Sequence, residues 1–233
     1  MPAPDHDARR IEVARAAVHS IARSGLDGTA LRAVADEGGW SVGVVQHYFR
    51  TKTELLVAAV EYLAERSYIL AQSLDKTEDS LQQLSDFIYA IVPQLGESEG
   101  RYWRVWTCFW AQATTDPILA VAVEYQAQRW RELFAMMIRR GQADDSMRSN
   151  LSPEDEGAYL AAAISGLGVM AAADSSAATI PQAITRLLQP LCADGRSVPA
   201  PRQGSRARLA SIPGEFLGFS AEPSSTQPSR KVG

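Results

Sequence analysis

Apolar positions recur at three- and four-residue spacing along most of the chain, broken by short polar or glycine-bearing stretches. That is the period of amphipathic helices. Ile11, Ala14, Val18 and Ile21 form one such stripe, predicting a helix from about Asp7 to Ser24 with Gly25 as its left-handed cap. Thr29 is placed to cap a short helix from Ala30 to Glu37, whose Leu31, Val34 and Ala35 face inward. Gly38-Gly39 interrupts the pattern, and Ser41 is placed to cap a third helix, Val42 to Phe49. Thr51-Lys52-Thr53-Glu54 reads as a capping box opening a long helix to about Leu74.

The later helices are longer. Leu81, Leu84, Ile88 and Ile91 mark one from about Ser80 to Leu95, and an aromatic-rich one covers about Glu99 to Thr114. Asp116-Pro117 and Ser152-Pro153 are start signals, a cap followed by proline in the first turn, for helices reaching about Gly141 and Ala173. Thr179 to Gln182 offers a further capping box before the stripe of Ile184, Leu187, Leu188 and Leu191. There is no strand-like alternation, hairpin turn or repeat, so the expected fold class is all-α. The expected organisation is a three-helix head at 1–56, joined by a long helix to a larger bundle at 57–193. Ser, Pro, Gly and Arg dominate 194–233, which reads as a disordered tail.

Composition narrows the function classes. Cys108 and Cys192 lie far apart in apolar helical patterns and read as reduced, buried thiols. No apolar leader follows Met1, and the apolar stretch Ala158–Ala173 falls short of a membrane span, so a cytoplasmic protein with no membrane partner is expected. The three histidines, His6, His19 and His47, form no triad order or metal-ligand spacing. No metal, cofactor or catalytic residue is therefore expected, and an enzyme is the weakest reading. The net charge of -4 gives no global basic field. If nucleic acid is the partner, attraction depends on where the cations sit.

Two short helices joined by a tight glycine turn are the physical content of a helix-turn-helix, in which the second helix lies in the major groove. Gly39 allows a positive φ, and Gly43 lets the backbone at the start of the third helix approach a duplex. Val42 and Val44 suit thymine methyl groups; Gln46 suits adenine or a phosphate, and His47 and Tyr48 suit phosphates. Trp40 is expected to pack between helices, the alternative being contact with the DNA backbone. The segments Thr29–Ala35, Ser41–Phe49 and Lys52–Leu56 together resemble the DNA-binding signature of the TetR family, in the Val-Gln-His-Tyr-Phe version of its BetI-like branch. The resemblance covers about Ile11 to Val60. It implies phosphate contacts from Thr29, Gln46, His47, Tyr48 and Lys52, with base contacts near Arg32, Val42 and Gly43; Ser41 completes the expected DNA-binding set.

In the second half, Trp103, Trp106 and Trp110 share one helix face, and Tyr125 and Trp130 add aromatic surface on the next helix. Most of this stripe is expected in the core. An effector cavity is expected along it, with Trp103, Trp106, Trp110 and Tyr125 as contacts and Glu124 or Asp116 as counter-charge to a cationic effector. Small residues from Ala161 to Ala172, with the stripe of Ile180–Leu191, suit either a four-helix dimer interface or completion of the subunit's own core, and the family resemblance favours the interface. The resemblance thus implies a homodimeric regulator, a repressor released from a palindromic operator by a small molecule. The alternative is a helical ligand-binding or interaction module without operator binding.

Overall fold

The structure, a computed structural model, describes residues 6–74, 76, 78–92, 97–173 and 180–202, with backbone alone at 97–100. Its helices are α1 (His6–Ser24), α2 (Leu31–Gly38), α3 (Val42–Tyr48), α4 (Lys52–Ser73), α5 (Ser80–Ile91), α6 (Glu97–Ala113), α7 (Pro117–Ala143), α8 (Pro153–Ala173) and α9 (Ile180–Leu188). No strand occurs among the described residues; one isolated antiparallel bridge joins Met147 to Cys192. The expected all-α architecture is therefore the one observed.

Local chemistry accounts for the helix ends. Gly25 and Gly39 both adopt φ +69°, closing α1 and α2 in the left-handed region where a side chain would be strained. Thr51 Oγ1 accepts from the Glu54 amide at 3.1 Å, while the Glu54 carboxylate accepts from the amide of Arg50 at 2.8 Å, one residue before the position expected. Asp116 Oδ1 accepts from the amides of Ile118 and Leu119 at 3.0 and 3.1 Å and so starts α7. At the other end of α7, Asp144 takes the amide and hydroxyl of Ser80 at 2.8 and 2.6 Å, tying the start of α5 to the α7 terminus.

The buried apolar side chains form one continuous core from Val13 to Cys192, so head and bundle are not separated by solvent. In the head, α1 packs on α2, α3 and α4, and it also touches α6 of the bundle. In the bundle, α7 runs against α4, α5, α6 and, most extensively, α8. Ile11 departs from its expected stripe and is 56% exposed. Where α1 meets the end of α3, the contacts are made by Arg10 and His6 instead. Cys192 is buried as expected, but Cys108 is half-buried.

Two other expectations change. As folded, α8 has 21 residues and its most apolar window has a mean hydropathy of 1.3, so length and composition alone would permit a span. The proline and acidic first turn that precede Ala158 belong to the same helix, which packs on α6, α7 and α9. At the C-terminal end, residues 194–202 are not loose. Ser85 Oγ donates to Pro199 O at 3.0 Å, the Arg202 amide donates to Asp86 Oδ1 at 3.1 Å, and Arg196 pairs with Asp79 at 2.7 Å. This strap lies along α5 because its polar groups find partners there, a pairing that composition does not reveal. The rest of the expected tail, 203–233, lies outside the described residues.

Between helices, α7 and α8 approach backbone to backbone at Gly157. A Cβ on Gly157 would stand 2.8 Å from both Ala135 N and Arg131 O, backbone atoms that cannot move aside singly. Gly157→Ala is expected to destabilise the protein by about 1–2 kcal/mol, overpacking outweighing the gain in helix propensity. Urea denaturation monitored by circular dichroism measures the change.

Candidate nucleic-acid interface and effector cavity

The head presents one face of α2 and α3 outward. Val45 and Phe49 are fully buried and anchor α3 to the head's core, so its opposite face is left to solvent. Arg32, Ser41, Gly43, Gln46, His47 and Lys52 are exposed, while Val42 and Tyr48 are half-buried. A Cβ on Gly43 would meet only Ser41 Oγ at 3.7 Å, so this backbone is open to a close partner. Tyr48 leans on His6 and His47, with ring centroids 4.9 and 5.0 Å away.

Arg10 was not legible as part of this unit. It donates to Tyr48 O at 3.0 Å and lies 4.4 Å from the centre of the Phe49 ring, fixing the end of α3 from 38 residues away. Nothing in the local spacing signals that contact. Lys52 Nζ donates to Leu26 O at 2.7 Å, which ties the start of α4 to the turn after α1. Trp40 packs as expected: half-buried, its ring lies against Gly38, and Arg9 stands 5.6 Å from the ring centre.

Thr29 needs correction. It is 1% exposed, its hydroxyl donates to Gly25 O at 2.7 Å, and it lies 3.3 Å from Ser20 Oγ. The residue capping α2 is Ala30, which makes no side-chain cap bond. The Gly25 carbonyl, left over at the end of α1, captures the Thr29 hydroxyl and turns it inward, so the expected phosphate contact is not open to it. Ser41 does stand at the cap of α3, though without a side-chain hydrogen bond.

The charge balance of the head resolves by position. Glu12 is held by Arg9 at 2.7 Å, and Glu37 by Arg23 at 2.5 Å and His19 at 3.5 Å. Glu54 is engaged by the amide of Arg50. No acidic residue occurs in α3. Glu12 and Glu37 are thereby paired within the head, while Asp36 stays exposed on α2, four residues from Arg32.

A cavity of about 380 Å³ lies between α6, α7 and α8. Trp103, Trp106 and Trp110 of α6 line it with Trp130, Val123 and Gln126 of α7 and the small residues of α8. Trp106 and Trp110 stack at 6.0 Å, and Trp103 Nε1 donates to Ile91 O at 2.7 Å. Tyr125 does not join them: it is 62% exposed, on another face of α7 with exposed Ile118 and Val121. The α7 positions facing the cavity are Val123, Gln126, Ala127, Trp130 and Arg131, and Tyr125 falls off that period. Neither expected counter-charge lines the cavity. Glu124 pairs with Arg131 at 2.5 Å, and Asp116 is committed to capping α7 and accepting from Thr53 at 3.3 Å. Among the described residues no cluster of His, Cys, Asp and Glu could hold a metal ion.

The cavity helix α6 is linked to α4, the helix that begins in the head. Tyr102, next to Trp103, is buried and shares a 2.7 Å hydrogen bond with Ser67 of α4. Burial pushes the Tyr102 phenol up to about 12, with the hydrogen bond from Ser67 acting the other way, so it stays neutral.

Comparison with known proteins matches this anatomy. Residues 13–67 match the model of bacterial regulatory proteins of the tetR family, and residues 80–193 that of the C-terminal part of BetI-type transcriptional repressors. The HTH-type transcriptional regulator BetI of Burkholderia lata is 28% identical over 164 residues, 68% of this chain and 84% of that protein. The HTH-type transcriptional regulator PksA of Bacillus subtilis is 32% identical over 114 residues, 47% of this chain and only 53% of its own length. A transcriptional regulator from Rhodococcus sp. Rha1 superposes with a TM-score of 0.63 at 26% identity, over 77% of this chain and 91% of its own. One from Saccharomonospora viridis, solved in complex with choline, superposes with a TM-score of 0.66 at 23% identity, over 78% and 94%. The chain belongs to the TetR family of bacterial regulatory proteins, with a C-terminal half of BetI type. It is a DNA-binding transcriptional regulator and not an enzyme.

Thr29→Val removes a buried hydroxyl while Gly25 O keeps its need for a donor. The expected result is a loss of about 1–2 kcal/mol of stability in urea denaturation. The salt dependence of DNA binding is expected to stay unchanged, because the side chain touches no phosphate.

Proposed function

We propose that this chain is a homodimeric repressor that holds a pseudo-palindromic operator through α3 and releases it when a small effector fills the tryptophan cavity. The observation that carries the DNA-binding part is the exposure of Gln46, His47 and Gly43 on a short helix whose other face is locked by Val45 and Phe49. Two such heads would enter successive major grooves about 34–36 Å apart. Gln46, Arg32, Val42 and Gly43 are the base-reading candidates, with His47, Tyr48 and Lys52 directed at phosphates. The functional division we propose is a reading head at 1–56 and an effector and dimerisation unit at 57–193, in a cytoplasmic protein.

The effector reading rests on the cavity's walls. Trp103, Trp106, Trp110 and Trp130 offer ring faces to an apolar or cationic molecule, and no carboxylate lines the space. Arg131 also lines the space, so a cation would be held by the rings alone, beside a like charge that Glu124 offsets. Choline, carried by the Saccharomonospora viridis neighbour, is of that class and is a suitable first ligand to test. The route to DNA is short. An effector that displaces α6 pulls on Tyr102 and Ser67, and hence on α4, whose first turn holds the head through Lys52. Release follows to the extent that the effector binds the displaced arrangement more tightly.

Recovery of genomic fragments bound by the purified protein tests the reading, a shared palindrome being the expected enrichment. Fragments without a common sequence would favour a helical interaction module. On the recovered operator, Gln46→Ala is expected to weaken binding by about 1–3 kcal/mol and to relax preference at one base position. Both are read by anisotropy titration at fixed salt. Tyr102→Phe is expected to leave operator affinity unchanged but to blunt effector-driven release, seen as a smaller shift in the same titration once a releasing ligand is in hand.

A further inference from the structure

We infer that a second cavity, between α4, α5 and α7, binds a small organic anion: a carboxylate carried on an apolar chain or ring. It lies on a different face of α7 from the tryptophan cavity, and the two spaces share no lining residue. The site therefore stands independently of the effector reading above.

The space measures about 390 Å³, enough for a small molecule. Leu133, Met136 and Met137 of α7 form an apolar wall with Ala71 of α4. Leu133 and Met137 are buried, and methionine side chains adapt to the shape of what they meet. Such a wall offers nothing to a bare inorganic ion and suits a hydrocarbon body.

The polar side of the cavity is cationic. Lys76, Arg129 and Arg140 line it against a single carboxylate, Glu132. Glu132 is exposed, and its Oε1 accepts from Gln128 Nε2 at 3.0 Å. Among the described residues no ion pair holds Lys76 or Arg140. Arg129 is engaged only at long range, with Nη2 3.6 Å from Glu65 and Nη1 3.4 Å from Gln126 Oε1. Its guanidinium carbon lies 3.9 Å from the centre of the Tyr68 ring, a contact that anchors the charge at the cavity. A carboxylate matches a guanidinium fork with both oxygens, which a neutral group does not.

Tyr68 is the residue that packing alone leaves unexplained. It lines the cavity, yet its phenol oxygen is buried and has no hydrogen-bond partner among the described residues. A buried hydroxyl without a partner is costly, and phenylalanine would fill the same space without that cost. Burial pushes the phenol well above the usual tyrosine range, with the Arg129 charge acting the other way, so it stays protonated and able to donate. A ligand oxygen seated beside Arg129 supplies the acceptor that the fold lacks. Tyr68 of α4 and Arg129 of α7 then share one carboxylate, Arg140 adds charge, and the hydrocarbon body lies against the methionines.

Isothermal titration calorimetry on the full chain tests this with octanoate and 3-phenylpropanoate as probes. Octan-1-ol and acetate supply the apolar body and the charge alone. At least one carboxylate probe is expected to bind about tenfold or more tighter than either control, because body and charge both contribute. Tyr68→Phe is expected to weaken that probe at least about threefold while resistance to urea stays the same or rises, since the hydroxyl has no partner to lose. Arg140→Gln, at an exposed position, is expected to weaken it by a similar factor and to reduce the salt dependence of binding. Tryptophan emission, recorded in parallel, is expected to stay unchanged, because no tryptophan lines this cavity. Octanoate and 3-phenylpropanoate both failing to bind would overturn the proposal. So would a probe whose affinity is the same in both variants, and a shift of tryptophan emission alongside that result would place the anion in the other cavity.

Discussion

One uninterrupted helix, α4, serves both halves of the molecule, and the rest of the structure is arranged around that sharing. Its 22 residues contain neither Gly nor Pro, so no point along it is predisposed to bend. Its first turn is fixed to the head by Lys52 and by the Thr51 cap, and its middle is fixed to α6 by the buried bond between Ser67 and Tyr102. The bundle's inner helices and the head are therefore bonded to one and the same helix. The continuous core from Val13 to Cys192 leaves no solvent-filled gap between head and bundle.

The sequence was most informative where function is encoded locally. The glycine turn, the short third helix and the Thr51 capping box lie within a few residues of one another, and their physical meaning needs no distant partner. Gln46 and His47 came out exposed for the same reason, since the helical period buries Val45 and Phe49 instead, and Arg32 did because Val34 and Ala35 take the inner face of α2. Thr29 was misjudged because its partner, Gly25 O, competes with the cap position, and spacing does not show which acceptor wins. Arg10 escaped notice since its partner lies 38 residues on.

The bundle was less legible because its aromatic residues satisfy core and cavity equally well in a one-dimensional pattern. Trp103, Trp106 and Trp110 do line the space between helices, but Tyr125 points elsewhere and the acids expected beside a cation are spent on a cap and an ion pair. The strap at 194–202 was hidden by its composition. Serine, proline and arginine look solvated until Asp79, Ser85 and Asp86 of the α5 region supply partners. A net charge of -4 likewise said little about the head, where Glu12 and Glu37 are held in ion pairs and α3 carries no acid.

The central claim is that α3 enters the major groove from each of two heads on one face of a duplex. Methylation protection of guanine N7, an atom that lies in that groove, on a bound genomic fragment tests it most directly. The expected pattern is two protected patches about one helical turn apart, flanking an unprotected centre. Tight binding with every guanine N7 still reactive would contradict it.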